Sequence, residues 1–307
     1  MQTRRLGSQG PELSVIGFGA WEAGGKDWGP NESDASVIDA MRAALEAGID
    51  WIDTAEVYGD GESERLVGLA VAGRRDGTLI ASKVAPMDEG TGFRPEQIAA
   101  ACDASLGRLG IDVLDLYQLH WPDESGVPVE DSWGAMSDLV AAGKVRFVGV
   151  SNFDRELIER CEPIRHVDSL QQEFSMLALD DRDLIAWCGE HGTGVVSYSP
   201  LAVGMLTGAY DRDSTFEPGD WRATDDEGPF APARLDASLR VAEGLGVVAE
   251  RLGLTPAQLA LAWNVHQPGV TSAIAGSRSV AHVRANAAAG DVHLDAATLA
   301  ELEALLT

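Results

Sequence analysis

Asp53, Lys83 and His120 stand at the ends of three successive apolar runs, and Tyr58 follows Asp53 by five residues. A phenol has an ordinary pKa of about 10 and needs help to act as an acid at neutral pH, which a neighbouring ammonium with a carboxylate counter-ion supplies. A neutral imidazole can donate a hydrogen bond to a substrate oxygen. Together the four side chains predict proton exchange with a small molecule. Taken singly, the Asp53 and Lys83 pair also fits a structural ion pair, and His120 fits a structural histidine.

Lys83 is the most informative of these residues because lysine is rare in this chain. The sequence has three lysines and twenty arginines, and one of the three lysines ends an apolar run. Arginine stays charged in proteins, whereas the proton affinity of a desolvated ammonium can be tuned. The choice of lysine at this position favours a chemical role.

Short apolar runs alternate with amphipathic segments along the chain, which is typical of β-α units and a parallel sheet. Eight strands, each followed by a helix, are the elements of a (β/α)8 TIM barrel. We predict one such domain over residues 1–307. The predicted strands are 15–19, 51–53, 79–84, 113–119, 145–150, 169–173, 194–199 and 270–275. The predicted helices are 34–47, 95–109, 129–142, 155–161, 181–191, 257–265, 280–288 and 295–306.

Two segments exceed the minimal barrel. Residues 4–6 and 12–14 predict an N-terminal β-hairpin that caps the barrel. Residues 201–236, after the seventh barrel strand, form a gap too long for an ordinary loop and carry four aromatic residues, which favours a lid. An open doubly wound sheet is the competing architecture, but the first strand leads into Gly17-Phe18-Gly19 without the third glycine of a dinucleotide-binding turn.

The composition excludes several classes of partner. A net charge of −26 disfavours nucleic acid and anionic membranes, and no apolar run is long enough for a membrane span or a signal peptide. We therefore expect a cytoplasmic protein. Cys102, Cys161 and Cys188 are odd in number and widely spaced, which predicts buried thiols and no metal site.

The residues at the strand ends resemble the motifs of the aldo-keto reductase family. The matching segments run in the order of the family and cover residues 17 to 286. They are 17–21 (GFGAW), 53–59 (DTAEVYG), 82–83 (SK), 119–122 (LHWP), 149–153 (GVSNF), 171–175 (QQEFS), 198–208 (YSPLAVGMLTG) and 276–278 (GSR), with Asn286.

The resemblance implies an oxidoreductase that transfers a hydride between NADPH and a carbonyl or alcohol. Asp53, Tyr58, Lys83 and His120 match the catalytic tetrad of the family, in which Tyr58 would be the general acid or base. Lys83, held by Asp53, would lower the pKa of Tyr58. The resemblance further implies that a set of residues binds the cofactor. These are Trp21, Ser151, Asn152, Gln171, Tyr198, Ser199, Leu201, Gly204, Gly276, Ser277, Arg278, His282 and Asn286.

Cofactor preference depends on the last strand-end loop. Ser277 and Arg278 can bind a 2′-phosphate, so we expect NADPH in preference to NADH. The sequence departs from the family pattern at Ala275, Gln172 and His282, and His282 lies where the adenine is expected.

The substrate pocket is predicted to have aromatic walls from Trp21, Trp28, Trp121 and Trp221, which suits small carbonyl compounds and alcohols. Asp27, Glu56 and Asp60 could hydrogen-bond a polyol, but solvated loop carboxylates are the expected state. The alternative function is a cofactor-sensing regulatory protein with incidental activity. The natural substrate, the physiological direction and the oligomeric state are left open by the sequence.

Overall fold

The computed structural model describes residues 1–26, 28–29, 31–85, 93–217 and 219–306. Eight parallel strands form a closed barrel in the order β10-β3-β4-β5-β6-β7-β8-β9, which confirms the predicted (β/α)8 fold and excludes the open sheet. The barrel strands are β3 (Ile16–Gly19), β4 (Trp51–Asp53), β5 (Leu79–Val84), β6 (Leu114–Leu119), β7 (Val145–Ser151), β8 (Ser169–Glu173), β9 (Gly194–Tyr198) and β10 (Val270–Ile274).

Helices surround the barrel and follow its strands. They are α1 (Asp34–Glu46), α2 (Glu62–Val71), α3 (Pro95–Leu109), α4 (Val129–Ala141), α5 (Arg155–Cys161), α6 (Arg182–His191), α7 (Leu235–Leu252), α8 (Pro256–Val265), α9 (Val280–Ala288) and α10 (Ala296–Ala304). Their ends follow local signals, as at α8, where Thr255 and Gln258 form a capping box around Pro256. The sequence analysis missed α2 and α7. None of the described helices is long and apolar enough to cross a membrane.

The predicted N-terminal hairpin is present at the amino-terminal end of the barrel. Strands β1 (Thr3–Arg5) and β2 (Glu12–Ser14) pair antiparallel, and Thr3 lies opposite Ser14. Leu6, which follows β1, and Leu13 of β2 are buried in an apolar cluster that includes Trp51 and Leu116. The hairpin therefore closes the end of the barrel opposite the carboxyl ends of the strands.

Side chains of the barrel strands alternate between two environments. Ser82 donates a hydrogen bond to Glu64 of α2, so it points toward the helices, whereas Lys83 points into the barrel mouth toward Asp53. This alternation follows the two-residue period of a strand. The three cysteines lie buried with free thiols, as expected.

The long segment after β9 folds over the carboxyl end of the barrel. Two short 3-10 helices, Ala202–Thr207 and Trp221–Ala223, lie within it. The rings of Tyr210, Phe216 and Phe230 pack together with centroids 4.7 to 5.7 Å apart. This aromatic cluster gives the segment a small core of its own, consistent with the predicted lid.

Candidate active site

A buried ammonium connects the carboxylate and the phenol of the predicted tetrad. Lys83 Nζ lies 2.6 Å from Asp53 Oδ1, 2.9 Å from the Thr54 carbonyl oxygen and 3.1 Å from Tyr58 Oη. Lys83 is fully buried and Asp53 is 3% exposed. All three N–H donors of the ammonium are therefore used, which fixes its position against the phenol.

Electrostatics keep the Lys83 ammonium charged. Burial alone would lower the pKa of Lys83, but the Asp53 carboxylate and the Tyr58 oxygen together raise it above its usual value. Burial raises the pKa of Tyr58, and the Lys83 charge offsets only part of that increase. The expectation that Lys83 gives Tyr58 a lowered pKa is therefore only half right: Lys83 acts in that direction, but the loss of water around the phenol outweighs it.

The loop that carries Tyr58 is held in a tight turn by left-handed residues. Gly59, Asp60 and Gly61 have φ values of 62°, 56° and 89°. A Cβ at Gly59 would lie 2.3 Å from the carbonyl oxygen of Gly24, so the two backbones are in direct contact. Glycine is needed here both for its conformation and for this close approach.

His120 lies beside Tyr58 at the end of β6, with ring centroids 5.7 Å apart. Burial, and secondly the Lys83 charge, hold the pKa of His120 well below its usual value, so the imidazole is neutral. Its Nδ1 is buried and has no hydrogen-bond partner among the described residues. A neutral imidazole has one N–H donor and one acceptor nitrogen, so His120 can donate one hydrogen bond to a bound ligand.

A second polar group meets the tetrad from the opposite side of the barrel. Gln171 on β8 donates from Nε2 to Asp53 Oδ2 over 2.9 Å. Strands β4 and β8 stand four places apart in the ring of eight, so this hydrogen bond crosses the barrel. Gln171, which the family resemblance assigns to the cofactor, thus also fixes the carboxylate of the tetrad.

Other predicted cofactor residues form a connected row at the ends of β7 and β9. Tyr198 Oη donates to Asn152 Oδ1 over 2.9 Å, and Asn152 Nδ2 donates to the His120 carbonyl oxygen over 3.0 Å. Ser151 is buried beside Asn152. Asn152 has a φ of 60°, a left-handed conformation that asparagine tolerates.

The chain beyond β9 has an unusual run of left-handed backbone. Ser199, Ala202, Val203 and Gly204 have φ values of 50°, 48°, 49° and 105°, and Leu201 lies within this run. Within this run the N–H groups of Ala202 and Gly204 donate to the carbonyl oxygens of Ser199 and Leu201, so the backbone forms tight turns. This is the segment that the resemblance assigns to a pyrophosphate.

The loop after β10 lies against the loop after β3. A Cβ at Gly276 would lie 2.3 Å from the Gly19 carbonyl oxygen, so only glycine fits there. Arg278 donates to the carbonyl oxygens of Trp28 and Gly29 over 2.8 and 3.1 Å. The guanidinium thus already has backbone partners, which the sequence could not reveal.

Three further residues of this end differ in exposure. Ser277 Oγ lies 3.5 Å from His282 Nδ1 at the surface. Asn286 is 5% exposed within α9. The structure therefore places Ser277 and His282 together, with Asn286 more deeply buried.

The four tryptophans predicted to form the walls of the pocket lie in two groups beside Tyr58 and His120. Trp21 lies between Tyr58 and Trp221, with centroid distances of 6.2 and 5.7 Å and interplanar angles of 30°. Trp28 meets Trp21 edge-on at 5.2 Å. Trp121 lies on the other side, with its ring 4.5 Å from that of His120. The rings border the space next to Tyr58 and His120.

Two charged residues at this end of the barrel differ from the sequence-based expectations: Arg222 was not predicted, and Glu56 was predicted in the wrong environment. Arg222 of the lid bonds Asp220 through two nitrogens and donates to the Val203 carbonyl oxygen over 3.0 Å. Glu56, expected in solvent, is 6% exposed, so that expectation is wrong. Asp60 is exposed as expected, and Asp27 lies outside the described residues. No pattern in the sequence distinguishes Glu56 from the exposed Asp60.

Comparisons with known proteins agree with this geometry. The model of the aldo/keto reductase family matches residues 15–307. Aldo-keto reductase YhdN of Bacillus subtilis is 34% identical over 293 residues, covering 93% of this chain and 87% of that protein.

Two solved structures are similar along nearly the whole chain. The glycerol dehydrogenase AKR11B4 from Gluconobacter oxydans has a TM-score of 0.88 at 29% identity, over 99% of this chain and 94% of that one. An aldo/keto reductase from Klebsiella pneumoniae, in complex with NADP and acetate, has a TM-score of 0.76 at 31% identity, over 99% and 96%.

Proposed function

Because this chain belongs to the aldo/keto reductase family, we propose that it reduces aldehydes or ketones to alcohols with NADPH, or catalyses the reverse oxidation. The observation that carries the proposal is the contact of Lys83 Nζ with both Asp53 and Tyr58, next to a neutral His120. This arrangement supplies a proton donor and a hydrogen-bond donor within one aromatic-walled pocket.

The residues fit a nicotinamide dinucleotide. Asn152 and Ser151 offer amide and hydroxyl groups to a carboxamide, and Tyr198 offers a ring to stack on a nicotinamide. The family resemblance assigns the pyrophosphate to the tight turns from Ser199 to Gly204. The Klebsiella pneumoniae relative was solved with NADP, which supports the same cofactor here.

Each residue of the tetrad has a distinct part in the mechanism. A bound dihydronicotinamide supplies the hydride. Tyr58 donates its Oη proton to the substrate oxygen in reduction and accepts it in oxidation. The Lys83 ammonium, oriented by Asp53 and the Thr54 carbonyl, stabilises the phenolate that results. His120 donates its ring N–H in a hydrogen bond to the same oxygen and thereby orients the carbonyl.

We further propose that NADPH is preferred to NADH. Ser277, Arg278 and His282 are polar or basic groups at the end of the barrel where the adenosine is expected, and Asn286 lies behind them. The net charge of −26 opposes the approach of a phosphorylated cofactor, so local basic groups are needed to bind it.

The substrate class follows from the walls of the pocket. Trp21, Trp28, Trp121 and Trp221 favour aromatic or medium-sized carbonyl compounds, and indole rings also stack on polyols and sugars. The similarity to a glycerol dehydrogenase makes small polyols a second class to test. Small-molecule carbonyls and alcohols are therefore the proposed partners.

The proposal is tested by following NADPH and NADH at 340 nm with 4-nitrobenzaldehyde, aliphatic aldehydes and ketones, and NADP⁺ with glycerol and other alcohols. Multiple turnovers are expected with at least one carbonyl compound. Tyr58→Phe should lower kcat by about 10²- to 10⁴-fold and leave the Kd for NADP⁺ nearly unchanged, since the hydroxyl serves the reaction. Tight NADP⁺ binding without turnover would instead support a cofactor sensor, and an unchanged kcat in Tyr58→Phe would refute the assigned role.

A further inference from the structure

A buried carboxylate joins the two chain segments that bring Tyr58 and Lys83 together. Glu56 lies two residues before Tyr58 and is 6% exposed. Its Oε1 accepts a hydrogen bond of 2.8 Å from the Ala85 backbone N–H, two residues beyond Lys83. The backbone N–H of Glu56 also donates to the Lys83 carbonyl oxygen over 3.4 Å. The same pair of segments is therefore linked through Glu56 and through the Lys83–Tyr58 contact.

The Ala85 N–H, which donates to Glu56, needs an acceptor from outside its own strand. Strand β5 ends at Val84, whose carbonyl oxygen accepts from the His120 N–H, and Ala85 follows outside the strand. Ala85 is 4% exposed. A buried N–H at the end of a strand must find a partner from elsewhere, and the Glu56 carboxylate provides it.

The second oxygen of Glu56 faces a buried ionic group behind the barrel. Glu56 Oε2 lies 3.7 Å from Arg108 Nη2, and Arg108 Nε donates to Glu64 Oε2 over 2.5 Å. Glu64 is fully buried and accepts from Ser82 Oγ over 2.5 Å. Arg108 lies beyond hydrogen-bond distance of Glu56, so the bond from the Ala85 N–H is the one that fixes the Glu56 side chain.

The opposite side of the Tyr58 loop is held by a backbone contact and by an exposed ion pair between Asp60 and Lys26. The backbone of Gly59 touches that of Gly24, with no room for a Cβ at either residue. Glu56 supplies the polar attachment on the other side. Without the carboxylate, the turn from 56 to 61 would keep only the backbone bond from Glu56 to Lys83 and the Lys83–Tyr58 contact at the end of β5.

We infer that Glu56 is a positioning residue for the proposed reaction, which fixes Tyr58 Oη at hydrogen-bond distance from Lys83 Nζ. The inference rests on the proposed function. It predicts that the length of the side chain and an acceptor oxygen are needed at position 56, whereas the negative charge is not.

The test compares Glu56→Met, which keeps the length and removes the acceptor, with Glu56→Gln, which keeps both. Glu56→Met should lower kcat by about 10- to 100-fold, because small displacements of reacting groups have effects of this size. Its Kd for NADP⁺, measured by fluorescence titration, should stay within about twofold of wild type, since Glu56 is not among the proposed cofactor ligands. The pH–rate profile of alcohol oxidation should move to higher pH, because the phenol loses its contact with the ammonium.

Glu56→Gln should recover most of the wild-type kcat and pH profile. The matched control is Asp60→Asn, which removes an exposed carboxylate two residues after Tyr58 and should behave as wild type. A purely structural role would lower the melting temperature of Glu56→Met without moving the pH profile, and that result would overturn the inference.

The inference is equally wrong if Glu56→Gln is as impaired as Glu56→Met, or if Glu56→Met has the wild-type kcat. If Glu56→Met does not fold, the test rests on Glu56→Gln. A kcat more than tenfold below wild type in Glu56→Gln would then refute the inference, because glutamine keeps the length and the acceptor oxygen. Failure of the proposed function is distinguishable, because then the wild-type protein itself would oxidise no alcohol and reduce no carbonyl compound.

Discussion

The indole ring of Trp221 stacks on that of Trp21, with centroids 5.7 Å apart and planes inclined by 30°. Trp221 belongs to the lid and Trp21 to the loop after β3, so the contact joins the lid to the wall of the pocket. A backbone bridge between Trp28 and Asp220 reinforces the same closure. The lid therefore contacts the predicted walls of the substrate pocket.

Trp221→Ala should weaken substrate binding and leave the chemistry intact. Loss of the stacked ring removes an aromatic contact, so KM for an aromatic aldehyde should rise by about 3- to 10-fold while kcat changes little. Steady-state kinetics with 4-nitrobenzaldehyde measure both constants. The control is Phe230→Ala, which removes a ring from the aromatic cluster of the lid and leaves the Trp221–Trp21 contact in place. Equal increases in KM in the two variants would show that the lid acts only through its own folding.

Lys83→Met should impair alcohol oxidation more than carbonyl reduction at neutral pH. The ammonium lowers the pKa of Tyr58, so its removal raises that pKa further and makes the phenolate needed for oxidation scarcer. The pH–rate profile of oxidation should then move to higher pH. The double variant Lys83→Met/Asp53→Asn also removes the carboxylate charge that raises the pKa of Tyr58, so it should show a smaller displacement in the same direction. A profile that stays in place would contradict the role of the ammonium.

The buried neutral His120 makes the folded protein sensitive to acid. Its folded-state pKa lies well below the unfolded value of about 6.5, so the folded state binds fewer protons between the two values. Above pH 6.5 His120 is neutral in both the folded and the unfolded state, and stability is unaffected. Below pH 6.5 the free energy of unfolding falls by about 1.4 kcal/mol per pH unit, until the folded-state pKa is reached. Denaturant melts from pH 7 to pH 5 should show a smaller decline in His120→Asn. An identical decline in both proteins would mean that His120 is protonated in the fold.

Arg278→Ala should change cofactor selectivity. A charge-assisted hydrogen bond to a phosphate contributes about 1.5–3 kcal/mol, so the Kd for NADP⁺ should rise by about 10- to 100-fold relative to that for NAD⁺. Arg278 also bonds the carbonyl oxygens of Trp28 and Gly29, and loss of those bonds should weaken both cofactors to the same degree. The ratio of the two Kd values, from fluorescence titration, separates the effects. An unchanged ratio would place the 2′-phosphate elsewhere.

The strands of the barrel could be located from the sequence because they are buried on both faces. Buried parallel strands are continuous apolar runs, and each of the eight was predicted to within one residue at either end. The tetrad followed from the same runs, since Asp53, Lys83 and His120 mark their ends. The local sequence was sufficient to predict the position of a side chain where that position depends only on the burial and the direction of its strand.

The two missed helices are amphipathic, but other features of their sequences obscure the pattern. Helix α2 begins with the polar run Glu62-Ser63-Glu64-Arg65, directly after a left-handed turn, so its apolar stripe starts late. Helix α7 contains Gly244 and Gly246, and glycine lowers helix propensity by about 1 kcal/mol. The side chain of Leu305 packs where a Cβ at position 244 would lie, which explains why this position is glycine. A contact between distant segments decides such positions.

Long-range contacts also explain the unpredicted parts of the site. The burial of Glu56 depends on Arg108 of α3, and the partners of Arg278 are backbone atoms of the loop after β3. Neither relationship leaves a pattern in neighbouring residues. The net pKa of Tyr58 likewise depends on how much water the fold removes, which residue types alone do not determine.

The hydrogen bond from Gln171 to Asp53 unites opposite halves of the molecule at a single carboxylate. An amino-terminal fragment that stopped after β6 would contain Asp53, Tyr58, Lys83 and His120 and still lack this support. Complementation between two separately expressed fragments would therefore restore turnover only after the ring of strands had reassembled. Recovered catalysis would then serve as a direct signal of that reassembly.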